Sequence, residues 1–304
     1  MGDKHAYLII AHGQFPLLAL LIQALDHERH DIYLHIDAKV KEFDWEGFRA
    51  LPKKSRLFFV PRRNVGWGDF NMIRTELELL RQASKEGYAY YHLLSGADLP
   101  LKNPEECLAF FDENAGKEWV HFAASPEQGG MDVSGRVKYY HLWQNRVGRK
   151  KRGWGKRLAN LFLRLQKALG VNRLRGKDLV LRWGANWFSI SHELAQYVLS
   201  KEREIASLCR MSACADEVFL QTLVWNSPFR ERLYFPNESG DYRGCMRLVD
   251  WERGDPWVFV SEDYDFLRPS DFLFARKFDW EKDAAICLRL VEENRSVAPF
   301  VWKK

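Results

Sequence analysis

The chain has 304 residues, 46% of them hydrophobic and 29% charged, with a formal net charge of +5. That apolar content excludes a disordered chain, and no run reaches the ~18 uninterrupted apolar residues of a membrane span. Five cysteines (Cys107, Cys209, Cys214, Cys245, Cys287), odd in number and without a CxxC pair, argue against a disulfide framework or structural zinc site and for a reducing cytosol.

Ala6–Ala11 is a continuous apolar run that ends in His12-Gly13. It is too short for the core of a signal peptide and reads as a strand buried on both faces. Phe15–Leu25 then has helical periodicity. Asp31–Ile36 and Arg56–Val60 read as strands. Asp69–Ala83 reads as a helix with Asp69 as its cap and Met72, Leu77, Leu79 and Leu80 facing the core. Tyr88–Leu94 is a fourth strand, Pro104–Asn114 a helix opened by proline, and Glu118–Ala123 a fifth strand. The alternation predicts an α/β fold with a mostly parallel sheet. Ser125–Lys177 reads as loop-rich and basic. The second half offers a strand at Asn186–Ser189, helices at His192–Leu199 and Ala215–Val224, strands near Leu233–Phe235 and Met246–Val249, and a helix at Glu281–Asn294. No repeat or Gly/Pro/Ser-rich linker interrupts the chain, so one domain over 1–304 is expected.

The charge is unevenly spread. Arg146–Lys177 holds twelve Lys/Arg and no Asp/Glu, so the remainder is net acidic. Within it Trp154, Leu158, Leu161, Phe162, Leu165 and Leu169 recur at helical spacing, with Arg157, Arg164 and Lys167 on other faces. Such a basic amphipathic helix fits either a helix packed on the domain with a solvated basic face, which is the preferred reading, or one lying on an anionic membrane surface. Nucleic acid ranks last, because no nucleic-acid-binding motif accompanies the patch.

In open α/β sheets ligands bind beyond the carboxyl ends of the strands. Three short polar motifs end strands there: Ala11-His12-Gly13, His35-Ile36-Asp37 and Ser95-Gly96-Ala97-Asp98. Together they suggest a nucleotide-type site, although each alone would pass as an ordinary turn. Neither GxGxxG nor GxxxxGK[ST] occurs, which counts against dehydrogenases and P-loop enzymes. The nearest DxD, Asp263-Tyr264-Asp265, lies late in a helix-starting context that fits capping better than a metal seat, and Ser95-Gly96-Ala97-Asp98 offers one carboxylate, so the residues leave metal use open and unsupported. Cationic side chains are the alternative counter-charge for a leaving diphosphate. Phe274-Ala275-Arg276-Lys277-Phe278 sets two cations among aromatics, and Arg253 precedes it. Asp216-Glu217 opens a helix, where acids are good first-turn residues and one could also be a general base.

Taken in order, Tyr33-Leu34-His35-Ile36-Asp37, Val65-Gly66-Trp67-Gly68, His92–Leu101, Trp187–Glu193, Asp216–Leu223 and Leu273–Asp279 resemble the core-2/I-branching β-1,6-N-acetylglucosaminyltransferase family, which also holds the peptide xylosyltransferases. The resemblance implies a GT-A-type fold, a UDP-sugar donor, inversion at the anomeric carbon, and no metal or other cofactor. It also implies roles. Glu217 is the catalytic base, and Lys277 binds the diphosphate with Arg253, or Arg247 in reserve. Asp37 faces the uridine between Ala11 and His12, and Asp98 sits where a metal ligand would be in metal-dependent relatives. Trp67, Gly96 and Trp187 shape the sugar and acceptor pocket. The implied partners are a UDP-GlcNAc or UDP-xylose donor and a glycan or lipid-linked glycan acceptor. Lacking the anchor, stem and disulfides of animal members, the chain resembles a bacterial cytoplasmic relative, peripheral on the inner face of the membrane if its basic helix docks there. The competing class is a non-catalytic nucleotide-sugar or glycan-binding protein held on membranes by that helix.

Overall fold

The computed structural model describes residues 3–147, 153–236 and 238–296; residues 148–152 of the basic segment lie outside them. In chain order the first half contains β1 (His5–Ala11), α1 (Phe15–Ala24), β2 (His30–Ile36), α2 (Trp45–Arg49), β3 (Arg56–Phe59), α3 (Phe70–Ala83), β4 (Tyr90–Ser95), β5 (Leu99–Pro100), α4 (Pro104–Glu113) and β6 (Trp119–Val120). Then come α5 (Ser134–Lys138), α6 (Gln144–Val147), α7 (Trp154–Ala168), β7 (Phe188–Ser191), α8 (His192–Ser200), α9 (Glu202–Cys209), α10 (Phe219–Trp225), β8 (Arg247–Val249), α11 (Tyr264–Leu267), β9 (Phe274–Arg276) and α12 (Ala284–Ser296).

Among the described residues one sheet runs β3-β2-β1-β4-β7-β6 and a smaller one β5-β9-β8. β1 and β2 are buried along their whole length, as expected of parallel strands covered on both faces. β3, β2, β1 and β4 are parallel, and β7 enters antiparallel to β4. One core joins α1, α4 and α12 to the small sheet; the other joins α3, α8 and α10 to the opposite face. The molecule is therefore an α/β fold with helices on both faces.

Local signals explain the helix starts. Pro16 lies in the first turn of α1. Asn103 and Glu106 cap α4 reciprocally, and Ser191 caps α8 through the Leu194 N–H. Three expectations change. Leu233–Phe235 is not a strand but a single bridge from Leu233 to Glu118. The expected helix Ala215–Val224 breaks at Val218 into a 3₁₀ turn, Ala215–Glu217, and α10. The loop-rich middle contains α5, α6 and α7.

One buried cation joins the two sheets. The Arg247 guanidinium, 1% exposed, donates to Cys245 O (2.5 Å), Phe188 O (3.1 Å) and Leu93 O (3.4 Å) and lies over the Phe274 ring. It thus ties β8 and β9 to β4 and β7.

Candidate active site

Parallel register aligns the carboxyl ends of the central strands. Ile10 pairs with His35 on one side and Ser95 on the other, so the three polar motifs share one sheet edge. The Asp37 N–H donates to Ala11 O (2.9 Å) and the Gly96 N–H to Ile10 O (3.1 Å). A Cβ at Gly96 would stand 2.9 Å from the Ala11 Cβ, so glycine is what lets this turn close on β1. The Asp37 carboxylate is buried. It accepts from Lys39 N–H (2.8 Å) and Val65 N–H (3.2 Å), with the Lys39 ammonium 3.3 Å away. A cavity of about 400 Å³ brings together His12, Asp37 and Trp67 with Lys39, Met72 and Asn145. Ala11 and Gly96 are buried and are not among its lining residues.

The Trp67 loop leads to Glu217. The Cys214 N–H donates to Gly68 O (2.9 Å), and Cys214 begins the turn that carries Asp216 and Glu217. The Glu217 carbonyl accepts from the Gly184 N–H (2.9 Å). Its Oε2 accepts from Arg136 Nη1 (2.6 Å), and that guanidinium lies over the Trp183 ring. Glu217 remains 39% exposed, and its Oε1 has no partner among the described residues. The carboxylate therefore stays open to solvent while Arg136 holds it in place.

Asp216 points the other way. Its carboxyl is buried next to Glu76 of α3. Burial first, and the negative Glu217 second, push the Asp216 carboxyl up to about 7. Glu76 is raised well above the carboxylate range by burial and by Asp216.

A third cluster forms around β9. Arg276 Nε donates to Asp98 Oδ1 (3.0 Å), and its guanidinium lies 4.3 Å over the Trp187 ring. Asp98 also accepts from Ser95 N–H (2.8 Å) and Ser95 Oγ (2.7 Å). It is 1% exposed, so it is turned inward to hold the loop and Arg276 rather than outward to a ligand. Lys277 is half-buried, and its ammonium makes no ion pair with a described residue. Tyr242 stacks on the His121 ring, and its hydroxyl accepts from Trp251 Nε1 (2.7 Å). Burial chiefly raises its hydroxyl to about 12, and both the Glu217 carboxylate and the Arg276 guanidinium act on it.

Two expected cations stand elsewhere. Arg253 is paired with Asp250 (2.5 Å) and Asp263 (2.6 Å) in a separate surface hollow. Arg247 is enclosed in the core by the carbonyls described above. Arg136, Glu76 and Tyr242 lie outside the motifs the sequence offers, and Arg276 lies within one that gives it no role of its own. Among the described residues no group of three or more His, Cys, Asp or Glu is placed to hold a metal ion. No helix among them is long and apolar enough to cross a membrane.

The family model described as Core-2/I-Branching enzyme matches residues 5–272. Similar proteins include Xylosyltransferase 2 of Canis lupus familiaris and of Homo sapiens, each 24% identical over 295 residues, 90% of this chain and 32% of theirs. The N-acetyllactosaminide beta-1,6-N-acetylglucosaminyl-transferase of Mus musculus is 21% identical over 296 residues, 90% of this chain and 68% of its own. The chain thus spans about a third of the length of the xylosyltransferases it matches. With the family model covering most of the chain, from the first strand to residue 272 just before β9, this protein belongs to the core-2/I-branching enzyme family.

Proposed function

We propose that the protein is an inverting glycosyltransferase of GT-A-type architecture, a single catalytic domain over 1–304. It moves GlcNAc or xylose from a UDP-sugar to a hydroxyl of a glycan or lipid-linked glycan. It works without a metal, in the cytoplasm, peripheral on the inner face of a bacterial membrane. Support comes from the family and from the transferase names of its relatives. Five free cysteines fit a reducing compartment. The observation that carries the reading is the hydrogen bond from Cys214 to Gly68. It fixes the Glu217 turn against the loop that walls the His12–Asp37–Trp67 cavity, so a base and a nucleotide-sized hollow adjoin.

Asp37 and His12 receive the uridine, and Trp67 and Trp187 flank the sugar. Glu217 Oε1 takes the proton of the acceptor hydroxyl. The acceptor oxygen bonds to the anomeric carbon from the face opposite UDP. The bond from that carbon to the diphosphate oxygen breaks, and its electron pair leaves with UDP. Lys277 meets the charge that develops there. Arg276, its neighbour in sequence, is the second cation in place of Arg253, whose guanidinium is already shared between two aspartates. Preorganised cations of this kind stabilise the leaving group without solvent reorganisation.

The test is release of UDP from UDP-GlcNAc and UDP-xylose in EDTA. Glu217→Gln should slow release about 10²–10⁴-fold while UDP still raises the melting temperature as in the parent. Lys277→Ala should weaken both. A Gln variant at full rate removes Glu217 as the base. Loss of activity in EDTA that Mn²⁺ restores removes the metal-free reading. UDP-sugar binding with no UDP released in any arm makes the protein a binding module.

A further inference from the structure

Helix α7 turns its apolar line away from the protein. Trp154, Leu158, Leu161, Leu165 and Leu169 follow one another at spacings of three or four, which puts them along one side of the helix. Trp154 and Leu169 are 79% and 80% exposed, and the three leucines between them are about half exposed. The packed reading of this helix required that line to face the domain. What faces the domain is Gln166, which is buried. Its Oε1 accepts from the Tyr140 N–H (2.8 Å) and its Nε2 donates to Tyr140 O (2.9 Å).

A third side of α7 is cationic. Arg157 and Arg164 border the apolar line and Lys156 and Lys167 stand further round, and no acidic residue occurs from Arg146 to Lys177. Among the described residues none of these four forms an ion pair; Arg157 and Lys167 lie instead over the Trp154 and Tyr139 rings. Charge complementarity selects the occupant. Two copies meeting line to line would set Arg157 and Arg164 of each helix at the rim of the contact with no acidic residue of α7 to offset them. An anionic bilayer takes both features at once, the apolar side chains in the acyl boundary and the cations among the phosphates.

We infer that α7 is an interfacial helix that seats the protein on an anionic lipid surface. This deepens the membrane-peripheral placement proposed above and rests on that part of the reading alone, not on the chemistry of the site. The seat is joined to the catalytic region. Arg173, just after α7, donates to Val137 O (3.2 Å), and Gln166 clasps Tyr140. Both therefore grip the segment that follows Arg136, the partner of Glu217. A seated α7 keeps the mouth of the site beside the lipid surface.

Co-sedimentation of the full chain with phosphatidylcholine vesicles, with and without phosphatidylglycerol, tests the inference. The parent should pellet with the anionic vesicles, less so as salt rises, and stay in solution with the neutral ones. Leu161→Ser/Leu165→Ser should cut the bound fraction at least about tenfold, and Arg157→Glu/Arg164→Glu should remove the anionic preference. All substituted residues are exposed, so circular dichroism and UDP release should stay at the parental level. No pelleting with anionic vesicles, or an unchanged serine variant, overturns the inference. So does a dimer in sedimentation velocity that the serine variant dissolves, or DNA binding that only the charge variant loses. Vesicle binding without UDP release would instead overturn the enzymatic reading and leave the docking standing.

Discussion

Two carboxyl groups adjacent in sequence live in opposite surroundings in the Ala215–Glu217 turn. Glu217 is partly exposed and gripped by Arg136; Asp216 is enclosed with Glu76. The enclosed acid has a consequence for stability. Asp216 keeps its proton to about pH 7 in the folded chain but loses it near 3.9 when unfolded. Between those values the folded state binds more protons, so this group's contribution to stability is intact below about pH 4 and is lost as pH rises toward 7. The buried imidazole of His30, pushed down to about 3 by burial, acts in the opposite direction. Its contribution is present above about pH 6.5 and lost as pH falls. The difference between Asp216→Asn and the parent therefore isolates the carboxyl. In urea titrations the Asn variant should gain on the parent from pH 4 to 7 by at most about 1.4 kcal/mol per pH unit. A pH-independent difference would mean that Asp216 is ionised throughout.

At the scale of elements, the Val65–Gly68 loop is the joint between the cavity and the Glu217 turn. Gly68 has φ +63°, and a Cβ there would stand 2.6 Å from Cys214 Sγ and 3.1 Å from Cys214 N. Gly68→Ala should therefore cost about 1–3 kcal/mol in chemical denaturation and slow UDP release, because the Glu217 turn is displaced with it. A variant as stable and active as the parent would separate the loop from the site. This joint was legible beforehand only in part. The apolar runs of β1 and β2 and the motifs ending in His12, Asp37 and Asp98 lay open in the sequence, since parallel strands and their carboxyl-end turns have a fixed pattern. The direction in which each motif faces did not: Asp98 reads as a ligand residue until Ser95 and Arg276 are seen to occupy it. Arg136 gave no signal, lying outside every motif in a stretch that reads as loop. Glu76 was hidden within the periodicity of α3. For α7 the spacing gave the apolar line but not the side on which the protein lies, because amphipathic pattern is the same for a packed helix and a lipid-facing one. Leu233–Phe235 has the composition of a strand yet meets Glu118 at a single bridge, and composition does not reveal whether a partner edge is available.

For the molecule as a whole, Arg247 is the piece that both sheets share. Removing its side chain empties core volume and frees the Leu93 and Phe188 carbonyls from a charged donor. Arg247→Ala should lower stability by about 2–5 kcal/mol and weaken UDP binding, because the strand leading to Arg276 and Lys277 loses its tether. Unchanged stability would show that packing around Phe274 suffices to hold the small sheet. The tether also limits how the molecule can breathe. The Arg247 guanidinium, shared between the Leu93 and Phe188 carbonyls of the larger sheet and lying over the Phe274 ring of the smaller, holds the strand that ends at Arg276 to the frame beside it. Sliding one sheet against the other would break these contacts, so donor binding at the proposed site is expected to leave the two sheets in register. On the proposed reading, passage of the nucleotide then falls to the exposed indole of Trp67, whose rotation needs no movement of either sheet.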